Sequence, residues 1–394
     1  MSFPSPEKPG GMDGLLAINM LYTFIVAAMA VLVPLYLLDQ KVDISLLGVI
    51  LSFGPLSFLI IRIFLASMAD EVGTRIISII HSVSNLAAML LYLFFISPAG
   101  FALATLAEGV RASGFWAIAR TDVLQANGTG DPGKALARFS NMRQLADGAG
   151  RIAVGLLLAF LAFQGTLLFL LAASTGLLLL VLARKGRKAN FHVGMDNFRR
   201  IFKARPKTFW YASLLQALVW LTYNMFSGFL LPVYLVSHLG LSNQDASLQI
   251  ALLSVLSGVF AIAFMKANLA KRDLLLLSFL AAPVLLAVPF FGPDIVPLLV
   301  VLSVGMGAAN MIAEYIMVDQ VYRSKEISTD VGVLYAPLKF LEFLFLSAGG
   351  LVISQFGFLP LLAILAVSIT LFVILGRSAI SPPPSVSKPL RPKR

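Results

Sequence analysis

Val33-Pro34-Leu35-Tyr36-Leu37-Leu38 returns later in the chain as Leu231-Pro232-Val233-Tyr234-Leu235-Val236, displaced by 198 positions. Outward from that stretch, Ala66-Ser67-Met68 followed by Arg75 returns as Ala263-Phe264-Met265 followed by Arg272, displaced by 197. Ala149-Gly150 returns as Ala348-Gly349, displaced by 199. Three separated matches at nearly one spacing describe a duplicated chain. Each copy is too apolar for water, which implies two homologous membrane halves around a central path. Proteins built this way place a ligand site near the midplane, where the repeats meet.

Composition supports a membrane reading. Of 394 residues, 59% are hydrophobic and 12% charged, and the mean hydropathy is +0.90. Soluble domains carry about 25% charged residues. Apolar runs of roughly 20 residues predict an all-α polytopic protein of twelve transmembrane helices in two pseudo-symmetric six-helix bundles. The spans fall near 14–38, 45–69, 76–97, 100–120, 140–163, 166–184, 208–237, 246–266, 274–291, 294–318, 332–355 and 357–376. The expected organisation is a tail at 1–13, a first bundle at 14–184, a basic linker at 185–207, a second bundle at 208–376 and a disordered tail at 377–394. Positive loop charge sets orientation. With both termini cytoplasmic, the outward loops hold only Lys41, while Arg75, Lys134, Arg138, Lys271, Arg272, Arg323 and Lys325 fall inside. That asymmetry explains the net charge of +11, so no nucleic-acid partner is inferred from it.

Within the linker, Phe191, Phe198, Ile201 and Phe202 interleave with basic residues. The pattern predicts either an amphipathic helix on anionic headgroups or a solvated topology signal. No cysteine is present, so disulfide and thiol chemistry are excluded. The first apolar run lacks a preceding cationic region and is expected to be retained.

Ala66-Ser67-Met68-Ala69-Asp70-Glu71-Val72-Gly73-Thr74-Arg75 resembles the cytoplasmic signature of the major facilitator superfamily, roughly G-x-x-a-D-r-x-G-r-K/R. Ala69, Asp70, Gly73 and Arg75 match; Ala66 and Glu71 depart from it. Gly73 permits a tight turn, and Asp70 can accept hydrogen bonds from a helix N-terminus. The resemblance implies that this terminus belongs to span 11, near Val331–Leu334, and that Arg75 pairs with Asp122 below span 4. These contacts would latch the cytoplasmic side. In the second copy Ala267 replaces Asp70 and Asp319 replaces Asp122, which implies a weaker Arg272–Asp319 latch.

Ionisable groups inside a bilayer are expensive and are functional candidates by default. Glu108 and Arg111 share a face of span 4. Arg111-Ala112-Ser113-Gly114 loosely resembles the family's span-4 pattern R-x-x-q-G, associated with proton coupling, with its glycine one residue early. Arg143, Asp147 and Arg151 form one stripe on span 5. Asn310 and Glu314 lie on span 10, and Lys339 and Glu342 on span 11. No base is evident near Glu314, whereas Lys339 suits Glu342. Arg62 on span 2 is expected to be structural or to snorkel. The family geometry turns spans 1, 4, 7 and 10 to the cavity, adding Asn19, Tyr22, Gln216, Trp220, Tyr223 and Asn224.

No H-E-x-x-H, phosphate-loop or G-x-S-x-G motif occurs, so an intramembrane enzyme is disfavoured, and no cofactor or metal is expected. The expectation is a monomeric secondary transporter of the cell membrane, working by alternating access on a small molecule. Protons would drive it, with Glu108, Asp147 or Glu314 as carriers. Efflux of amphipathic organic compounds is the first expectation and uptake of an organic anion or metabolite the second. A non-pumping sensor or lipid-handling protein is the alternative of another class.

Overall fold

The computed structural model describes residues 10–72, 74–127, 132–184, 204–321 and 327–380. These residues are helical apart from short connections. Helix is the expected outcome, because in lipid the backbone must satisfy its own polar groups. The first part contains α1 (Gly10–Asp39), α2 (Ile44–Val72), α3 (Thr74–Phe94), α4 (Pro98–Asn127) and α5 (Pro132–Ala183). The second contains α6 (Lys207–Met225), α7 (Asn243–Lys266), α8 (Lys271–Ser278), α9 (Ala281–Ala287), α10 (Val296–Val321), α11 (Ile327–Leu334), α12 (Ala336–Phe356) and α13 (Leu359–Ile380).

Short polar residues start these helices. The Asp43 carboxylate accepts from Ser45 N at 2.8 Å ahead of α2. Ser97 Oγ accepts from Gly100 N at 3.1 Å ahead of α4, and Ser242 Oγ from Asp245 N at 3.1 Å ahead of α7. Each side chain satisfies an amide that the first helical turn leaves without a carbonyl. Beyond α6, π-helical turns at Phe226–Leu230 and Tyr234–His238 carry the path past Pro232.

α5 runs 52 residues, too long for one crossing, and reverses at Ala162 (φ 52°, ψ −171°). Both of its ends lie at one end of the molecule. Arg138 near its start pairs with Asp13 of α1, while Arg184 just past its finish lines one small cavity with Asn19 and Phe139. That end also gathers the α4, α10 and α11 termini through Arg184–Asp122, Arg143–Glu314 and Arg205–Asp330. We call it the basic end.

Ten segments among the described residues are long and apolar enough to cross a membrane. Met142–Ala183 counts once among them at 42 residues, and α4 is not one of the ten. The reason is visible in α4, which carries Glu108, Arg111, Arg120 and Asp122.

The two parts of the chain meet along two seams. In one, α2 lies on α12 so closely that a Cβ at Gly48 would sit 2.5 Å from the Leu346 carbonyl oxygen. In the other, α5 lies on α7, where a Cβ at Gly155 would sit 2.8 Å from Ser247 Oγ. Small residues permit such approach, and approach is what holds helices together in lipid.

Candidate functional site

The predicted cavity residues separate into two groups. One lies between the parts of the chain, flanking α6. On its α5 side, Arg151 Nε bonds Asp147 Oδ2 at 3.0 Å, with Tyr223 of α6 beside the pair. Arg151 is 6% exposed, and its Nη1 is buried with no hydrogen-bond partner. On the α12 side, Lys339 Nζ lies 2.6 Å from Glu342 Oε2, and Asn224 Nδ2 donates to Glu342 Oε1 at 2.7 Å. Lys339 also sits 5.1 Å over the Phe58 ring of α2, so the pair is held from across the molecule. Consecutive residues of α6, Tyr223 and Asn224, thus face two different charge pairs, because adjacent helical side chains diverge by about 100°.

One turn earlier, Gln216 and Trp220 serve packing. Gln216 Nε2 donates to the Ala313 carbonyl of α10, and Trp220 Nε1 donates to Gln216 Oε1 at 2.9 Å. Asn310 is half-buried on α10, with its Oδ1 unpartnered. Glu314 has a base after all. Arg143 Nη2 lies 3.8 Å from Glu314 Oε1, and the Arg143 guanidinium stands 5.1 Å over the Trp116 ring. The sequence hid this partner because it comes from α5, remote in the chain.

The second group is enclosed by α1, α3, α4 and the returning limb of α5, away from α6. Arg111 Nη2 lies 3.7 Å from Glu108 Oε2, and Nη1 donates to Asn85 Oδ1 at 3.1 Å. Asn85 Nδ2 in turn donates to Ser174 Oγ at 2.8 Å. Tyr22 stacks on Phe115 at 3.6 Å and meets His81 edge-on at 5.5 Å. Asn19 lies deeper toward the basic end, its Nδ2 3.5 Å from the Phe139 carbonyl. Asn19, Tyr22, Glu108 and Arg111 therefore face the interior of the first bundle and not the path expected of spans 1 and 4. Asn85, His81, Tyr92 and Ser174 were missed. The signal for the three on α3 was a buried stripe at helical spacing, Ser78, His81, Asn85 and Tyr92; Ser174 of α5 gave none.

The described residues hold no group of three or more His, Asp or Glu side chains arranged for a metal. The pattern described as Major Facilitator Superfamily matches residues 15–325. The chain belongs to the Major Facilitator Superfamily. No curated protein matches it. Among solved structures it is similar to the nucleoside transporter NupG, at 17% identity and a TM-score of 0.68, covering 95% of this chain and 100% of that one. A point variant of NupG matches at 16% identity and a TM-score of 0.67, covering 94% and 100%. This fold belongs to secondary transporters, multi-pass membrane proteins that carry small molecules.

Among the described residues, the acids expected in the gate have other basic partners. The side chain of Asp70 and all of Gly73 lie outside the described residues, as do the linker at 185–203 and the tail at 381–394. The inner end of α2 does reach α11, since a Cβ on Gly332 would sit 3.6 Å from Ala66 Cβ. Arg75 is exposed, and Asp122 Oδ2 accepts from Arg184 at 2.7 Å. Arg184 closes the first bundle on Asp122, so Arg75 is not the partner. In the second copy Asp319 pairs with Lys271 at 3.6 Å and not with Arg272. Both of those groups are largely exposed, which leaves the contact little energy. Arg62 is 1% exposed against Gly332 and does not snorkel.

Proposed function

We propose that the chain crosses the cell membrane twelve times and carries a small polar organic solute between two halves, residues 14–184 and 208–376, rocking in turn. The twelve crossings follow from counting α4 as a span and α5 as two. The basic end is read as cytoplasmic, with both termini and the headgroup-binding linker 185–207 there, and the protein as a monomer. The gate residues at that end are Asp70, Gly73, Arg75, Asp122, Arg272 and Asp319, with Arg184 and Lys271 added as partners.

The observation that carries the solute class is the pairing of charge beside α6. Asp147–Arg151 and Lys339–Glu342 neutralise themselves, Asn224 is held by Glu342, and Tyr223 and the free Arg151 Nη1 remain to recognise a ligand. A hydrophobic cation favours a lone acid in an apolar pocket, whereas self-neutralised pairs suit a neutral solute rich in hydrogen-bond acceptors. Asp147, Glu314 and Glu342 each have a basic partner. A polar metabolite is thus favoured over the efflux of amphipathic compounds. NupG, a nucleoside transporter by name, has a similar fold, so a nucleoside belongs in the first set of ligands tried.

Proton coupling is proposed as the energy source, because charge pairs shielded from water can exchange a proton for a partner as the halves move. The test uses purified protein in proteoliposomes, with uptake of labelled polar metabolites and of cationic dyes measured with and without an imposed pH gradient. Polar solutes should accumulate and dyes should not, and Arg151→Gln should abolish accumulation. Uptake indifferent to the gradient would remove the coupling; preference for dyes would restore the efflux reading.

A further inference from the structure

The interior of the first bundle is more polar than folding requires. In the described residues Tyr22 Oη, Tyr92 Oη, Glu108 Oε1 and Arg111 Nε are buried together without a hydrogen bond of full geometry, Tyr22 facing Arg111 and Tyr92 facing Glu108. Nearer the basic end, Asn19 Oδ1 and Asp122 Oδ1 are also buried and unpartnered. Both residues line a cavity of about 20 Å³ with His81, Ser78 and Arg184. That volume holds a single water. His81, edge-on to Tyr22, stands between cavity and cluster. On α4 the stripe Glu108, Arg111, Phe115, Ala119 and Asp122 runs the same course at helical spacing. The column stops at an aromatic plug on the far side, where Phe101 meets Tyr36 at 5.7 Å and Tyr92 at 6.3 Å.

The duplicated half supplies an independent comparison. At a displacement of 197, His81 corresponds to Ser278, Asn85 to Ala282, Glu108 to Gly305 and Arg111 to Ala308. There the helices simply touch, a Cβ on Gly305 falling 2.8 Å from Ala281 N. At these four positions one half therefore folds without an ionisable group, while the other carries His81, Glu108 and Arg111. Polar groups buried in lipid without partners are costly, so the column answers to something other than the fold.

We propose that this column holds a file of internal waters reaching from the basic end to Glu108, giving that carboxyl group proton exchange with the cytoplasm by a route separate from the solute seam. Water supplies the donors that Asn19 Oδ1 and Asp122 Oδ1 lack, and it bridges Tyr92 to Glu108 and Tyr22 to Arg111 where direct bonds are poorly formed. Around Glu108, α4 contributes Arg111, α3 contributes Tyr92 and Asn85, and α1 contributes Tyr22; α2 faces this stretch of α4 with Ser57, close to Gly109. A proton arriving through the file converts the Glu108 carboxylate to the acid and frees Arg111 from its pair; departure reverses both. The proton use of the file rests on the coupling proposed above, while its hydration does not.

Radiolysis of bound water labels the side chains it touches, so hydroxyl-radical footprinting of the full chain in nanodiscs reads the file directly. Tyr22 and Tyr92 should oxidise several-fold faster than Tyr234, which is equally buried but bonds the Val288 and Phe291 carbonyls. Asn19→Leu, or Ser78→Leu should the first fail to fold, should slow labelling of Tyr22 and Tyr92 and leave Tyr234 unchanged. Equal rates at all three tyrosines in the unaltered chain would overturn the proposal. In proteoliposomes the same two variants should lose the response to a pH gradient and keep solute binding by thermal shift. Variants with a full response would overturn the proton route. A hydrated column in a chain indifferent to the gradient would remove the coupling and leave the waters.

Discussion

Glu342 shows how much one residue can carry. It is 2% exposed, and its two oxygens are committed, one to Lys339 and one to Asn224. Removing one partner of a buried pair strands the other charge, at about 3–5 kcal/mol, whereas replacing both with apolar groups is often neutral. Glu342→Ala and Lys339→Ala should each lower the melting temperature of the purified protein sharply. The double variant should recover most of the loss. A double variant as unstable as the sum of the singles would mean that the pair is not coupled. The Lys339–Glu342 spacing was readable from the sequence, since residues three apart share a helical face. Asn224 and Phe58 as companions were not, because both come from other helices.

Among elements, α5 and the α2–α12 contact hold the most tension. Ala162 adopts a backbone conformation that suits glycine, and such positions cost roughly 1–3 kcal/mol in a residue with a Cβ. Ala162→Gly is expected to raise thermal stability by about 1 kcal/mol, with transport unchanged; a loss of stability would show that the reversal is not strained. At the α2–α12 contact the backbones themselves touch, since a Cβ on Gly350 would collide with Ile44 and Ser45. Gly350→Val should cost about 1–3 kcal/mol through overpacking, read as a lower melting temperature. The same change at Gly176, which has open space around it, should be nearly silent. Sequence periodicity read a span at 332–355, which falls inside the single apolar segment Ser328–Phe356. The structure divides that run at Tyr335, because Pro337 in the first turn of α12 cannot continue the preceding ladder.

Across the whole molecule, two ion pairs tie helices that are remote in the chain. Asp13 of α1 meets Arg138 of α5, and Arg205 ahead of α6 meets Asp330 of α11. The first pair is exposed and contributes little, while Arg205 is 6% exposed. At the end opposite the basic one, Ser45 Oγ and Ser354 Oγ stand 3.3 Å apart across the α2–α12 seam. The chain has no cysteine, so Ser45→Cys with Ser354→Cys introduces an isolated thiol pair at disulfide reach. Oxidation should lock the variant and stop transport, and reduction should restore it. Unimpeded transport by the oxidised variant would show that this seam does not need to open.

Membrane residence, the family of the chain and the stripe of charge on α5 were legible in the sequence, because hydropathy, a short motif and helical spacing are all local properties. The partners of those charges were decided only by tertiary structure. Arg143 with Glu314, Arg184 with Asp122, and the polar interior of the first bundle depend on which helices lie side by side and how each is rotated. Those choices rest on close backbone approach at glycines far apart in the chain, and a one-dimensional pattern does not record them.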